Sequence, residues 1–116
     1  MKESVIKIKS YQFSLRIIKL YKHLTEDKRE FILSKQILRS GTSIGANVEE
    51  ASGAQSKKDF IAKFHISLKE AKETHYWLRL IKDSEYAETI LIDSFLKDCD
   101  ELIIIMISIL KSSKIP

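Results

Sequence analysis

Glu70 and Glu73 are the residues that come nearest to a catalytic pattern. One helical turn apart, two carboxylates could divide general acid and general base work between them. An ion pair with Arg39 or a neighbouring lysine accounts for both more simply, because a catalytic carboxylate rarely stands without companions. Metal sites in helical bundles combine carboxylates with a Glu-x-x-His pair. Ala62 precedes His65, and Lys72 precedes His75, where that glutamate would have to stand. His65 therefore reads as solvated and His75 as a satisfied histidine near the core. No Cys and His residues have zinc spacing. Cys99 is the single cysteine, and it falls on an apolar stripe, as a small hydrophobe does. Gly41 and Gly45 lack the strand-to-helix context of a phosphate loop. These residues predict a protein that is not an enzyme and needs neither metal nor cofactor.

Basic side chains offer a different chemistry. Lys and Arg total 20 against 16 Asp and Glu, a net charge of +4. That excess favours an anionic partner without demanding one. The candidates for nucleic acid are Arg16, Lys19 and His23 in the first helical segment, with Lys57, Lys58, Lys63, Lys69 and Lys72 in the third. A charge run is usually a solvated face. In a symmetric assembly, however, a small excess repeats around a shared rim and strengthens the local field. Two functions remain open from the residues: RNA or DNA binding, and a protein-binding scaffold with no affinity for nucleic acid.

The elements that must position these groups are helical. Three Gly and one Pro, the last residue, are too few breakers for a chain of short strands and turns. Phe13, Ile17, Leu20 and Leu24 recur at helical spacing, and so do Ile37, Ile44, Val48 and Ala51. Phe60, Phe64, Leu68, Ala71 and Leu78 mark a third face; Leu91, Phe95, Cys99, Leu102, Met106 and Ile109 mark a fourth. The spacing predicts helices over about 10–24, 29–51, 56–82 and 87–111, in a single domain. Short turns between long helices predict an all-α, antiparallel up-down-up-down four-helix bundle. The second helix is expected to run unbroken through Gly41 and Gly45, whose size permits a neighbouring helix to approach closely. Ser56 and Asp59 resemble a capping box for the third. The N-terminal MKESVIKIKS has no apolar run of a secretory leader. Leu102 to Leu110 is about half of the ~20 residues a membrane span requires. The lone cysteine fits a reducing cytoplasm.

Two helices carry more apolar surface than one interior uses. Ile66, Tyr76, Trp77 and Leu80 lie off the main stripe of the third helix, and Ile104 projects from the polar side of the fourth. A helix apolar on two sides is packed on two sides, so these residues predict self-association. On the second helix Arg39, Ser43, Asn47 and Glu50 stack along one flank beside the core face. With Glu70 they predict a structural polar network that ties the second helix to the third or to a neighbouring subunit.

The same flank carries a resemblance. Leu38-Arg39-Ser40, Ser43-Ile44, Ala46-Asn47-Val48 and Glu50 resemble the signature of the 23S ribosomal RNA intervening-sequence protein family. Ser67-Leu68-Lys69-Glu70-Ala71-Lys72-Glu73-Thr74 with Tyr76-Trp77-Leu78, and Asp100-Glu101-Leu102, resemble its later motifs. Gly45 departs from the proline of many members, and Ala51 and Ser52 from a Gly-containing ending. The resemblance implies a small four-helix bundle that assembles as a ring-shaped homopentamer. The chain is similar also to the accessory protein of diversity-generating retroelements, which implies nucleic acid and a reverse transcriptase as partners.

Overall fold

In a computed structural model, described over residues 1–113, the chain forms four α-helices and, among those residues, no strand. Helix α1 spans Lys2–Lys22 and continues into a π-helical turn, His23–Asp27. Helices α2 (Leu33–Ser52), α3 (Lys57–Asp83) and α4 (Thr89–Ser112) follow. No helix among the described residues is long and apolar enough to cross a membrane.

Helix α1 starts about two turns earlier than the apolar spacing predicts. Its buried stripe is Ile6, Ser10, Phe13, Ile17 and Leu20, with Leu24 beyond. A serine stands where a large apolar residue would have announced the first turns. That serine has a packing reason. A Cβ added at Gly45 would lie 3.2 Å from the Ser14 hydroxyl and 3.3 Å from the Ser10 carbonyl. At Gly41 it would lie 2.8 Å from Ile17 Cγ1. Small residues on both helices therefore set how closely α1 and α2 approach. The second helix is unbroken through both glycines, as the constant apolar phase predicts.

Helix α2 begins at Leu33, later than predicted, because the chain must first turn. Arg29 has a positive φ of 56°, which stops the helical path. Glu30 then caps α2: its carboxylate accepts from the backbone N–H of Ile32 (3.1 Å), Leu33 (3.0 Å) and Ser34 (2.8 Å). These are donors that the start of a helix leaves without partners. The cap of α2 is thus the Glu30 carboxylate. Ser56 caps α3 by accepting from the Asp59 N–H at 3.1 Å, as predicted.

Helix α1 packs on α2 and α4, and α3 also packs on α2 and α4, so α1 and α3 hold opposite corners. The core runs from Ile6 and Phe13 through Ile37, Ile44, Phe64 and Leu78 to Cys99, Met106 and Ile109. Leu91, predicted to be buried, is 40% exposed, and Ile92 takes its place at 0%. Ile92 is the residue in phase with Phe95, Cys99 and Leu102. On α3 the innermost positions are Phe64, Ser67, Ala71, Thr74, Leu78 and Ile81, which leaves Phe60 and Leu68 at the edge. Ser67 and Thr74 hold α2 through buried bonds, to the Ile44 carbonyl (2.8 Å) and the Ser40 hydroxyl (2.9 Å). Cys99 lies in the same interior, and burial pushes its thiol up to about 12. A thiol so protonated is no nucleophile at neutral pH.

Candidate nucleic-acid interface

The structure divides the basic residues into those held by the fold and those left outward. Arg16 is held. Its guanidinium donates to Asp98 at 2.6 Å and to Ser94 at 3.0 Å, and it lies 4.0 Å from the centre of the Phe95 ring. All three partners are on α4, so Arg16 clamps α1 to α4 and is withdrawn from the candidates. Lys63 reaches back to Glu50 of α2 at 3.1 Å, and that hydrogen bond raises its pKa above the ordinary lysine value. Lys57 lines a recess of about 420 Å³ with Glu3 and Lys7 of α1. Lys19 is exposed on α1, at the corner opposite α3, and shares no surface with the α3 lysines. His23 pairs with Asp27 one turn on, at 2.9 Å.

What remains is one row on α3. Lys58, His65, Lys69, Lys72 and Tyr76 are exposed on the side opposite Phe64, Ala71 and Leu78. Among the described residues none of Lys58, Lys69 and Lys72 is in an ion pair. Arg79 extends the row, exposed, with its guanidinium 5.8 Å from the centre of the Tyr76 ring. Sequence reading passed over Arg79, although it falls three residues after Tyr76 and seven after Lys72, on the same face.

Both flanks of this row are ion-paired. On the α2 side Arg39 donates to Glu73 at 2.6 Å and stands 3.6 Å from Glu70. The second distance balances charge without a hydrogen bond, and one buried oxygen of Glu70 has no donor. The Trp77 indole N–H donates to the same Glu73 carboxylate at 3.0 Å. On the α4 side His75 meets Asp100 at 3.2 Å and Lys82 meets Asp93 at 2.7 Å. His75 is therefore a half-buried partner of a carboxylate, not a core residue.

Of the polar flank on α2, Arg39 and Glu50 reach α3, at Glu70, Glu73 and Lys63. Ser43 and Asn47 do not. Their side chains donate to the carbonyls one turn back in their own helix, Arg39 at 2.6 Å and Ser43 at 2.8 Å. Backbone carbonyls along a helix are always within reach of such short side chains, and helical phase alone cannot show that preference.

The apolar residues predicted to mediate self-association do not form one patch. Trp77 is half-buried against the core on the α2 side of α3. Leu80 is half-buried, while Ile66 and Tyr76 are exposed. Ile104, 67% exposed, sits on α4 in an open groove with Asp93, Lys97 and Ile105. A further stripe was not read from the sequence: Ile8, before the predicted start of α1, and Tyr11, Leu15 and Ile18 within it all face outward, Tyr11 being 63% exposed. It borders a groove of about 350 Å³ whose other wall is Thr42, Gly45 and Ala46 of α2.

Comparison with known proteins follows this geometry closely. A crystal structure of a protein of unknown function from the S23 ribosomal protein family of Bacteroides thetaiotaomicron superposes with a TM-score of 0.94. It is 52% identical, over 96% of this chain and 99% of that one. No curated protein matches the chain. The model of the 23S rRNA-intervening sequence protein family matches residues 2–108, and the chain belongs to that family.

Proposed function

We propose that the chain is a non-enzymatic, nucleic-acid-binding accessory protein, built as an antiparallel up-down-up-down bundle and assembled as a homo-oligomer. The observation that carries this reading is the row on α3. Three lysines and an arginine face solvent along one face of α3, while on α1 Lys7, Lys9 and Arg16 are drawn onto carboxylates of neighbouring helices and the exposed Lys19 stands apart. Cations without internal partners are available to phosphates. The family's name, with its reference to 23S rRNA, agrees with a nucleic-acid partner. No side chain in the row has the arrangement of a base-reading motif, so contact would be electrostatic and weakly sequence-specific. The buried, unpaired Cys99 agrees with work in the reducing cytoplasm.

Fluorescence anisotropy with labelled RNA and DNA at two salt concentrations tests the reading. Affinity should fall steeply with salt, and Lys69→Glu or Lys72→Glu should weaken binding without lowering the melting temperature. Absence of binding at the lower salt overturns it.

Self-association rests on the outward apolar residues away from the α3 row, the stripe Ile8, Tyr11, Leu15 and Ile18 on α1 and Ile104 on α4. The homopentamer that the family resemblance implies is the expected form. Light scattering at micromolar concentration checks it, and a mass near 13.4 kDa would exclude any stable assembly. The same α1 stripe favours the second reading, a scaffold that binds another protein such as a reverse transcriptase, should nucleic acid fail to bind.

A further inference from the structure

We infer that the α3 row binds a single nucleic-acid strand, with Tyr76 as the platform on which an unpaired base stacks. The inference rests on the nucleic-acid reading above and specifies its ligand.

The width of the row is the first argument. Lys58, Lys69, Lys72 and Arg79 follow one helix face, so the unpaired cations form a line one side chain wide. At 1.5 Å per residue, Lys58 and Arg79 lie about 30 Å apart along α3, the reach of several consecutive nucleotides of an extended strand. On either side the surface is not cationic. Arg39 is matched by Glu70 and Glu73, His75 by Asp100, and Lys82 by Asp93. A duplex brings two phosphate strands, separated by a major groove about 12 Å wide. With one strand on the lysine row, the second would lie over carboxylates that are already paired. A single strand meets only the line of unpaired cations.

The second argument is the aromatic ring set in that line. Tyr76 is 47% exposed, one turn beyond Lys72 and one turn before Arg79. Trp77 supports it from the side, in an edge-on contact with ring centres 5.1 Å apart. Trp77 is itself fixed by its bond to Glu73. An exposed ring held by its neighbours and flanked by cations is how proteins receive unstacked bases. A paired base in a duplex keeps its faces covered by its neighbours and has none to offer.

The test compares the wild-type protein with Tyr76→Ala and Tyr76→Phe. The probes are a labelled 12-nucleotide strand of mixed sequence, the same strand in duplex form, and an abasic strand of equal length. The single strand should bind wild type more tightly than the duplex or the abasic strand. Tyr76→Ala should weaken the single strand by about tenfold, within the range of one base–aromatic stack. Tyr76→Phe, which keeps the ring, should bind like wild type. Trp77 is the single tryptophan, so its emission should change on adding the single strand to wild type and not on adding the abasic one. Equal affinity for duplex and single strand, or an unchanged single-strand affinity in Tyr76→Ala, overturns this inference. The general reading survives that result if Lys69→Glu still weakens binding, and fails with the inference if none of the probes binds. Far-UV circular dichroism of each variant confirms that the fold is retained; a Tyr76→Ala protein that unfolds would assign Tyr76 to the fold and overturn the inference too.

Discussion

Helices α1 and α3 stand at opposite corners of the molecule, and both send cations outward, yet the two corners are chemically unlike. On α1, Arg16 and Lys9 turn sideways to Asp98 and Glu101 of α4, and Lys7 turns to Glu49 of α2. What is left facing solvent along its middle is an apolar stripe, Ile8, Tyr11, Leu15 and Ile18, with Lys19 and Lys22 exposed towards the end of the helix. On α3 the carboxylates nearest the outer row are engaged by Arg39, His75 and Lys82, so Lys58, Lys69 and Lys72 stay unpaired. The difference lies not in the basic residues but in what the neighbouring helices place beside them. A lysine on a helix is a candidate ligand for phosphate only when the helices packed against it have no spare acid.

The largest effect should come from forcing α1 off its seat. In Gly41→Val the new Cβ would meet the branched, fully buried Ile17 side chain at 2.8 Å, and that side chain has nowhere to go. Overpacking of this kind costs about 1–3 kcal/mol, and here the upper end is expected, seen as a lower denaturation midpoint. A Gly41→Val protein as stable as wild type would mean that α1 does not sit as closely on α2 as the structure has it.

The caps of α2 and α3 sharpen the contrast next. Burial raises the pKa of Glu30, but the hydrogen bonds from Leu33, Ser34 and Ile32, with the Ser34 side chain, outweigh it and leave the group below its ordinary 4.5. A lowered folded pKa contributes stability that is present above the unfolded value and is lost as pH falls through the folded one. Stability should therefore decline below about pH 4.5 in part through Glu30, and Glu30→Gln should flatten that part of the profile. Glu30→Ala should cost about 1–2 kcal/mol at neutral pH, since it leaves three backbone donors without an acceptor. Ser56, which caps α3, carries no titrating group, and Ser56→Ala should lower stability without changing the pH profile.

Much of this was legible in the sequence, and the parts that were not have physical reasons. The four helices, the unbroken α2 and the Ser56 cap follow from periodicity and turn chemistry. The first two turns of α1 were hidden by Ser10, a polar residue buried because Gly45 lies against it. The Glu30 cap was hidden because glutamate ranks poorly at the standard cap position; here it reaches α2 from two residues before that position, which Ile32 occupies. The α3 lysines could be named from the sequence. Their separation from Arg16 and Lys63 could not, because it depends on Asp98 and Glu50, brought near by packing alone.

A direct comparison of the corners is the pair Arg16→Ala and Lys72→Ala. The first removes a charged hydrogen bond, a second bond to Ser94 and a contact with the Phe95 ring. Half-exposed as it is, this cluster should be worth about 1 kcal/mol in urea denaturation. Lys72→Ala should stay within about 0.5 kcal/mol of wild type, because nothing in the fold depends on it. Equal losses would remove the distinction between cations held by the fold and cations free for a ligand.

The smallest effect is expected at Asn47, and it bears on how the polar flank of α2 is understood. If Asn47 joined α2 to α3, replacing it with alanine would leave a buried partner without its hydrogen bond, at about 1–3 kcal/mol. Its amide instead donates to the Ser43 carbonyl within α2, at 2.8 Å. That carbonyl already lies within reach of the helix's own N–H groups, so little is orphaned when the amide goes. Alanine is also the better helix former, by about 0.5 kcal/mol or more. Asn47→Ala should therefore melt within a degree or two of wild type, while Ser67→Ala, which removes the buried bond to the Ile44 carbonyl, should melt several degrees lower. A large loss in Asn47→Ala that appears only at concentrations where the protein associates would place Asn47 at a contact between subunits, and the polar flank would then belong to the assembly rather than to the single chain.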